Sequence, residues 1–116
     1  MRVLVVDDDL EFLELAATVL RHAGAEFRAV SSAALAHGLL ETWLPNVVLT
    51  GPMLASALRA SFVGQQLAVA IVALTASGTR ESCALFARAE FDLYLTKPVD
   101  PVELALAVGA VVRREA

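Results

Sequence analysis

Near its amino terminus the chain reads Val3-Leu4-Val5-Val6-Asp7-Asp8-Asp9, four apolar residues followed at once by three aspartates. An unbroken apolar run of this kind is typical of a strand that is buried on both faces of a parallel sheet. Four more short apolar runs follow, and segments with helical periodicity separate them. The five predicted strands cover residues 2–7, 27–30, 46–50, 69–75 and 93–96.

The segments between these runs predict five helices. The first covers 9–23 and closes at Gly24, and the second begins after Ser31 or Ser32 and ends near Trp43. A short third helix is predicted over 53–62 and a fourth over 79–89. The fifth starts after Asp100, with proline at its first position and glutamate at its third. This alternation predicts an α/β fold, a three-layer sandwich with helices on both faces of a five-stranded parallel sheet.

Composition excludes several classes of protein. The 116 residues predict one domain, 1–116, and 58% hydrophobic residues with 19% charged residues exclude a disordered chain. A net charge of −4 without a basic stripe argues against nucleic-acid binding. The longest apolar runs fall short of the ~18 residues of a membrane span, and no signal peptide is visible. A single cysteine, Cys83, excludes an intramolecular disulfide and favours a cytoplasmic location.

Residues whose side chains could bind a cation or a phosphoryl group lie at the ends of the predicted strands, at the edge where sites form in parallel sheets. The carboxylates of Asp7, Asp8 and Asp9 suit a hard cation such as Mg²⁺, although Asp8 or Asp9 could instead cap the first helix. Thr75 could donate its hydroxyl to an anion or simply end a strand. Lys97, the only lysine, could serve a phosphoryl group or the aspartates, or be a solvated surface residue.

Taken together, these residues resemble the receiver domain of two-component response regulators over essentially the whole chain. The first strand with its acidic residues, the run 45–50, and the run 71–76, which contains the hydroxyl residue Thr75, each match a family motif. So does Tyr94-Leu95-Thr96-Lys97-Pro98, in which an aromatic residue precedes the lysine by three positions. Each motif is weak alone, and their order and spacing make the joint signal strong.

The resemblance implies a bacterial, CheY-like phosphorelay protein with a flavodoxin-like (βα)5 fold and strand order 2-1-3-4-5. In the family, two acidic residues, here Asp7 and Asp8, help to hold Mg²⁺, and an aspartate after the third strand accepts phosphate from a histidine kinase. A hydroxyl and a lysine, here Thr75 and Lys97, engage the phosphoryl group. The resemblance also implies a cis bond between Lys97 and Pro98 and a switch role for Tyr94, which could otherwise be a packed core residue.

The sequence departs from the family at the phosphoacceptor. The acceptor position falls on Gly51, and alternation along the strand turns the preceding Thr50 to the other face. The loop that follows is also remodelled, beginning Gly51-Pro52. Without a carboxylate nucleophile no aspartyl phosphate can form there, and Mg²⁺ binding, if any, should be weak. We expect no cofactor, and we expect Lys97 to pair with Asp7 or Asp8 as a structural counterion.

The sequence therefore predicts an atypical receiver, not an enzyme, that signals through protein contact. Its partner would be a histidine kinase, an output domain or an effector, and the chain would be a stand-alone regulator or a module. A homodimer could form through the fourth helix, fifth strand and fifth helix, where mixed charges could pair across a two-fold axis. Those charges are Arg88, Glu90, Asp92, Arg113 and Arg114.

Two alternatives remain open. A displaced carboxylate, Asp8 or Asp9, could serve as phosphoacceptor in a working receiver. A small phosphatase-type hydrolase would use an aspartate of the first strand as nucleophile. Such enzymes require the motif Asp-x-Asp followed by Gly-Thr. Leu10 and Glu11 follow Asp9 here, which argues against that reaction.

Overall fold

The computed structural model describes residues 1–76 and 92–115. Five strands lie in this part of the chain and form one parallel sheet in the order β2-β1-β3-β4-β5. They are β1 (Arg2–Val6), β2 (Glu26–Val30), β3 (Val47–Thr50), β4 (Ala70–Ala76) and β5 (Leu93–Lys97). The predicted fold class and strand order are confirmed, and each predicted strand lies within one residue of the observed bounds.

Four helices are described. They are α1 (Leu10–His22), α2 (Ala33–Leu40), α3 (Pro52–Gly64) and a C-terminal helix (Pro101–Glu115), which was the fifth in the sequence prediction. The predicted fourth helix, 79–89, lies outside the described residues, as do Cys83, Arg88 and Glu90. The side chains of Arg113 and Arg114 also lie outside the description.

Alternate residues of each strand face two separate hydrophobic layers, because successive strand side chains point to opposite faces. Val3, Val5 and Leu49 pack with α1 and the C-terminal helix. Leu4 and Val48 pack with α2 and α3 on the other face. The helices therefore cover both faces of the sheet, which is the predicted three-layer sandwich.

The helix starts follow the predicted capping residues. Asp9 caps α1, Ser32 caps α2, and Asp100 accepts from the backbone N–H groups of Val102 and Glu103 at 2.7 and 3.4 Å. Gly24 follows α1 with a φ of 73°, a left-handed conformation that glycine adopts without strain.

Two helix ends differ from the prediction. The second helix ends at Leu40 rather than near Trp43, because the N–H groups of Thr42 and Trp43 both donate to the Leu39 carbonyl and turn the chain. Trp43 is then 8% exposed and packs into the core. The third helix is not short: its 13 residues begin at Pro52, one before the predicted start, and end at Gly64, two after the predicted end.

The described part of the chain contains no helix that is both long enough and apolar enough to cross a membrane.

Candidate functional site

The three aspartates after β1 have three different environments. The Asp7 carboxylate is 8% exposed and accepts from the backbone N–H of Asp9 at 2.9 Å. Asp9 caps α1, accepting from the N–H groups of Glu11 and Phe12 at 3.1 and 3.3 Å. Asp8 is exposed. Of the two residues that could have capped the first helix, Asp9 therefore does so.

Lys97 neutralises the buried member of this cluster. Its Nζ lies 2.6 Å from Asp7 Oδ2 and 3.9 Å from Asp9 Oδ2, and the Lys97 side chain is 29% exposed. The ammonium also lies 5.2 Å from the ring centroid of Phe12 on α1, within the range of a cation–π contact. The lysine was expected to pair with Asp7 or Asp8, and the ion pair forms with Asp7. The bond from Lys97 to Pro98 is cis, as expected.

A cleft of about 740 Å³ opens at the carboxyl ends of the strands. Its walls include most of the residues that the sequence singled out, which are Asp7, Asp8, Asp9, Gly51, Thr75, Lys97 and Pro98. Adjacency of the central strands explains this convergence, because the parallel strands β1, β3, β4 and β5 all end at this edge. Among the described residues, the arrangement sets three carboxylates against a single ammonium, so this part of the cleft carries an excess of negative charge.

Gly51 directly follows β3 and begins α3 as its N-cap residue, with no side chain to cap the helix. Its φ of −65° and ψ of 162° are accessible to any L-residue, and a Cβ added there would meet no atom within 4 Å. The adjacent Thr50 is 1% exposed and is not among the cleft-lining residues, as strand alternation predicts. Neither close packing nor backbone strain therefore requires glycine at position 51.

Tyr94 does not belong to the cleft. It is 50% exposed and lines a different groove, between β5 and the C-terminal helix. The interpretation of Tyr94 as a packed core residue is therefore wrong. Its switch role stays a prediction.

Ser31 and Ser32 also line the cleft, together with Leu54 of α3. The sequence argument considered the two serines only as helix caps, and Ser32 Oγ does accept from the N–H of Leu35 at 3.2 Å. Their position after β2 was the signal that could have placed them at the site. The rule that selected the residues after the first, third, fourth and fifth strands applies equally to the second.

The comparisons with known proteins agree on the kind of domain. The chain matches the structure of a candidate response regulator from Chloroflexus aurantiacus J-10-fl with a TM-score of 0.84 and 30% sequence identity, over 97% of this chain and 98% of the other. The chain belongs to the response regulator receiver family. The receiver domain of the Francisella response regulator 1452 shares the fold, with 24% identity, a TM-score of 0.84, and coverage of 99% of this chain and 98% of the other.

Two curated proteins are also similar in sequence to this chain. An uncharacterized 14.6 kDa protein from Leptolyngbya boryana is 36% identical over 90% of this receiver and 84% of its own length. The phosphate regulon transcriptional regulatory protein PhoB of Pseudomonas aeruginosa is 30% identical over 97% of this chain, which spans 52% of PhoB. No family model matches the sequence.

The residues of this receiver do not fit the Mg²⁺ ion that the family implies. Asp7 directs one carboxylate oxygen to Lys97 and the other to a backbone N–H, and Asp9 uses Oδ1 to cap α1. Gly51 offers no side-chain oxygen. Within residues 1–76 and 92–115, no group of three or more His, Cys, Asp or Glu side chains could hold a metal ion. Magnesium needs several oxygen ligands in near-octahedral geometry, and Asp8 alone supplies too few of them.

Proposed function

We propose that this chain is an atypical receiver that signals by protein–protein contact and forms no aspartyl phosphate. The observation that carries the proposal is Gly51, which follows β3 and lines the cleft beside Asp7, Thr75 and Lys97. In the receiver pattern this is the position of the phosphoacceptor aspartate. A glycine has no atom that could attack a phosphoryl donor, so the covalent step is lost while the frame around it is retained.

The Lys97–Asp7 ion pair supports the same proposal. Aspartates gathered at a strand end repel one another and need a positive charge nearby. At 2.6 Å, the Lys97 ammonium supplies that charge from within the chain, and it is thereby committed to Asp7. Because its buried carboxylate is neutralised in this way, the cleft has a resting arrangement that requires neither a metal ion nor a phosphoryl group.

The output of such a receiver would depend on the partner that binds it. We propose that the partner is a histidine kinase, an output domain or an effector protein, and that the chain has no catalytic activity of its own. A fixed conformation would present the same surface at all times, so binding would be regulated by the supply of partner and not by phosphorylation. Turnover of p-nitrophenyl phosphate by the purified chain would contradict the non-enzymatic assignment.

Intact-mass spectrometry after incubation with acetyl phosphate and Mg²⁺ tests the proposal. We expect the native chain to gain no phosphoryl group, whereas a typical receiver treated in parallel should gain one. A stable phosphoryl adduct on the native chain would overturn the proposal.

The second candidate function is that of a receiver with a displaced phosphoacceptor. Asp8 is better placed than Asp9 to be that acceptor. Asp8 is exposed and lines the cleft, whereas an oxygen of Asp9 is used by the α1 cap. If a phosphoryl adduct forms on the native chain and is lost in Asp8→Asn, this alternative is correct. Asp9→Asn serves as the matched control, since it changes the neighbouring carboxylate in the same way.

A further inference from the structure

Charged side chains are almost absent from residues 29–69, the segment that contains α2, β3 and α3. The chain has nine Lys and Arg residues and 13 Asp and Glu residues, of which only Arg59 and Glu41 lie in this segment. Arg59 turns its charge inward, with its guanidinium 2.5 Å from Asp92 Oδ2 and a hydrogen bond to the Val69 carbonyl. Among the Asp, Glu, Lys and Arg residues of this segment, Glu41 is therefore the only one whose charge is left to the outer surface of α2 and α3.

The same segment exposes large apolar side chains. Leu44, after α2, is 44% exposed, and Met53 at the start of α3 is 88% exposed. Between Met53 and Gly64, the exposed positions of α3 include Ala57 and Ala60, spaced so that they lie on one side of the helix. Scattered exposed apolar residues are ordinary, whereas a larger exposed patch that is apolar and poor in charge is typical of a contact surface.

A groove of about 390 Å³ runs between α2 and α3 within this surface. His37, Glu41 and Leu44 form its α2 side, and Leu58 and Phe62 of α3 are among the residues opposite. His37 and Glu41 are four residues apart, one turn of α2, so their side chains are neighbours on the groove. His37 can donate a hydrogen bond and Glu41 can accept one, and no other titratable residue of 1–76 or 92–115 lines the groove.

We propose that this α2–α3 face, defined by the groove and the exposed residues of α3, is a contact surface between two copies of this chain. If two α2 helices cross antiparallel about a two-fold axis between His37 and Glu41, each imidazole meets the carboxylate of the second copy. Such a contact is self-complementary, as a two-fold interface must be. A strongly charged partner would find only one carboxylate here to pair with, whereas a second copy offers matching apolar area and the opposite polar pair.

The size of the face sets the expected strength of the contact. The 13 residues of α3 span about 20 Å and the eight residues of α2 span about 12 Å, and each helix is about 10 Å wide, so the face has a projected area of roughly 300 Å² per copy. This is below the ~800 Å² per partner of a standard stable interface. We therefore expect a weak dimer whose population rises with concentration. The groove shares no lining residue with the cleft, so we expect the contact not to depend on whether the chain is phosphorylated.

Sedimentation velocity over a concentration series tests the proposal. The weight-average mass of the native chain should rise above its monomer mass of 12.3 kDa as concentration increases. Leu44→Glu, which places a charge in the groove, should remain monomeric. The matched control is Leu106→Glu on the C-terminal helix, where the leucine is 62% exposed and lines the groove beside β5. That control should associate like the native chain.

An exchange of the polar pair separates the contact from an effect on folding. His37→Glu should weaken association, because two carboxylates then face each other across the axis. The double variant His37→Glu/Glu41→His has the native composition and should recover association. A native chain that is monomeric at every concentration would overturn the proposal. Loss of association in Leu106→Glu but not in Leu44→Glu would also overturn it, and would place the dimer on the β5 side, as the sequence predicted.

Discussion

At the level of single residues, the cleft depends on one ion pair and one glycine. Lys97 contributes the one ammonium group among the cleft-lining residues, and its contact with Asp7 neutralises a carboxylate that is 8% exposed. Gly51 leaves open the space in which a longer side chain would stand. A separate substitution can test each of these two features.

Removal of the Lys97 charge should destabilise the fold. In Lys97→Met, the largely buried Asp7 carboxylate loses its counterion, and we expect the free energy of unfolding to fall by about 3 kcal/mol, the low end for one-sided loss of a buried pair. Urea denaturation followed by circular dichroism measures this change. The double variant Lys97→Met/Asp7→Leu removes both charges and should recover most of the loss. If the double variant is no more stable than the single one, an unpaired Asp7 charge is not the cause of the lost stability.

Replacement of Gly51 by aspartate should create a magnesium site. The backbone at position 51 accepts a side chain without strain or contact, so Gly51→Asp should fold normally. A fourth carboxylate in the cleft raises the repulsion among the acids, so Mg²⁺ should increase the melting temperature of this variant more than that of the native chain. Gly51→Asn is the neutral control of nearly equal size. An equal response to Mg²⁺ in the native chain and Gly51→Asp would show that the glycine is not what weakens metal binding.

At the level of helices and strands, a small set of capping residues determines where the helices begin. Asp9, Ser32 and Asp100 each supply a side-chain oxygen to otherwise unpaired N–H groups, and Pro52 and Pro101 occupy the first helical positions. These signals act within a few residues, which is why the sequence predicted the helix starts well. The α1 cap also fixes the orientation of Asp9 and so takes part in shaping the cleft.

Loss of the α1 cap should cost stability without changing the fold. Asp9→Ala removes the acceptor for the N–H groups of Glu11 and Phe12, and we expect a loss of about 1 kcal/mol in the free energy of unfolding. Asp8→Ala is the matched control, because Asp8 is a neighbouring exposed carboxylate that does not cap the helix. That control should change stability by less than about 0.5 kcal/mol. Equal losses in the two variants would contradict the assignment of the cap.

Features that depend on distant neighbours were harder to predict. Trp43 leaves the second helix early because it packs into the core, where the guanidinium groups of Arg2 and Arg28 lie 5.7 and 5.2 Å from its ring. The residues near Trp43 in the sequence do not predict these contacts. The sequence also left the partner of Lys97 open between Asp7 and Asp8. Strand alternation predicts which face a side chain takes only within the strand, and both aspartates follow Val6, the last residue of β1.

At the level of the whole molecule, strand order explains why residues distant in sequence form one cleft. The sheet places β1 and β3 side by side, with β4 and β5 next, so Asp7, Gly51, Thr75 and Lys97 reach the same edge. At the opposite end of the sheet, Asp92 accepts from the Ile71 N–H at 2.8 Å and binds Arg59 of α3. The frame of a receiver is thus retained around a cleft that, on our proposal, no longer takes phosphate.

A two-dimensional amide NMR titration with Mg²⁺ and then beryllofluoride, a phosphoryl mimic, tests this central claim directly. The amides of Gly51, Thr75 and Lys97 report on the cleft, and Gly51→Asp provides the positive control. We predict that these three amide signals of the native chain stay in place at both steps, while those of Gly51→Asp shift. A saturable beryllofluoride-dependent shift of the same amides in the native chain would contradict the account.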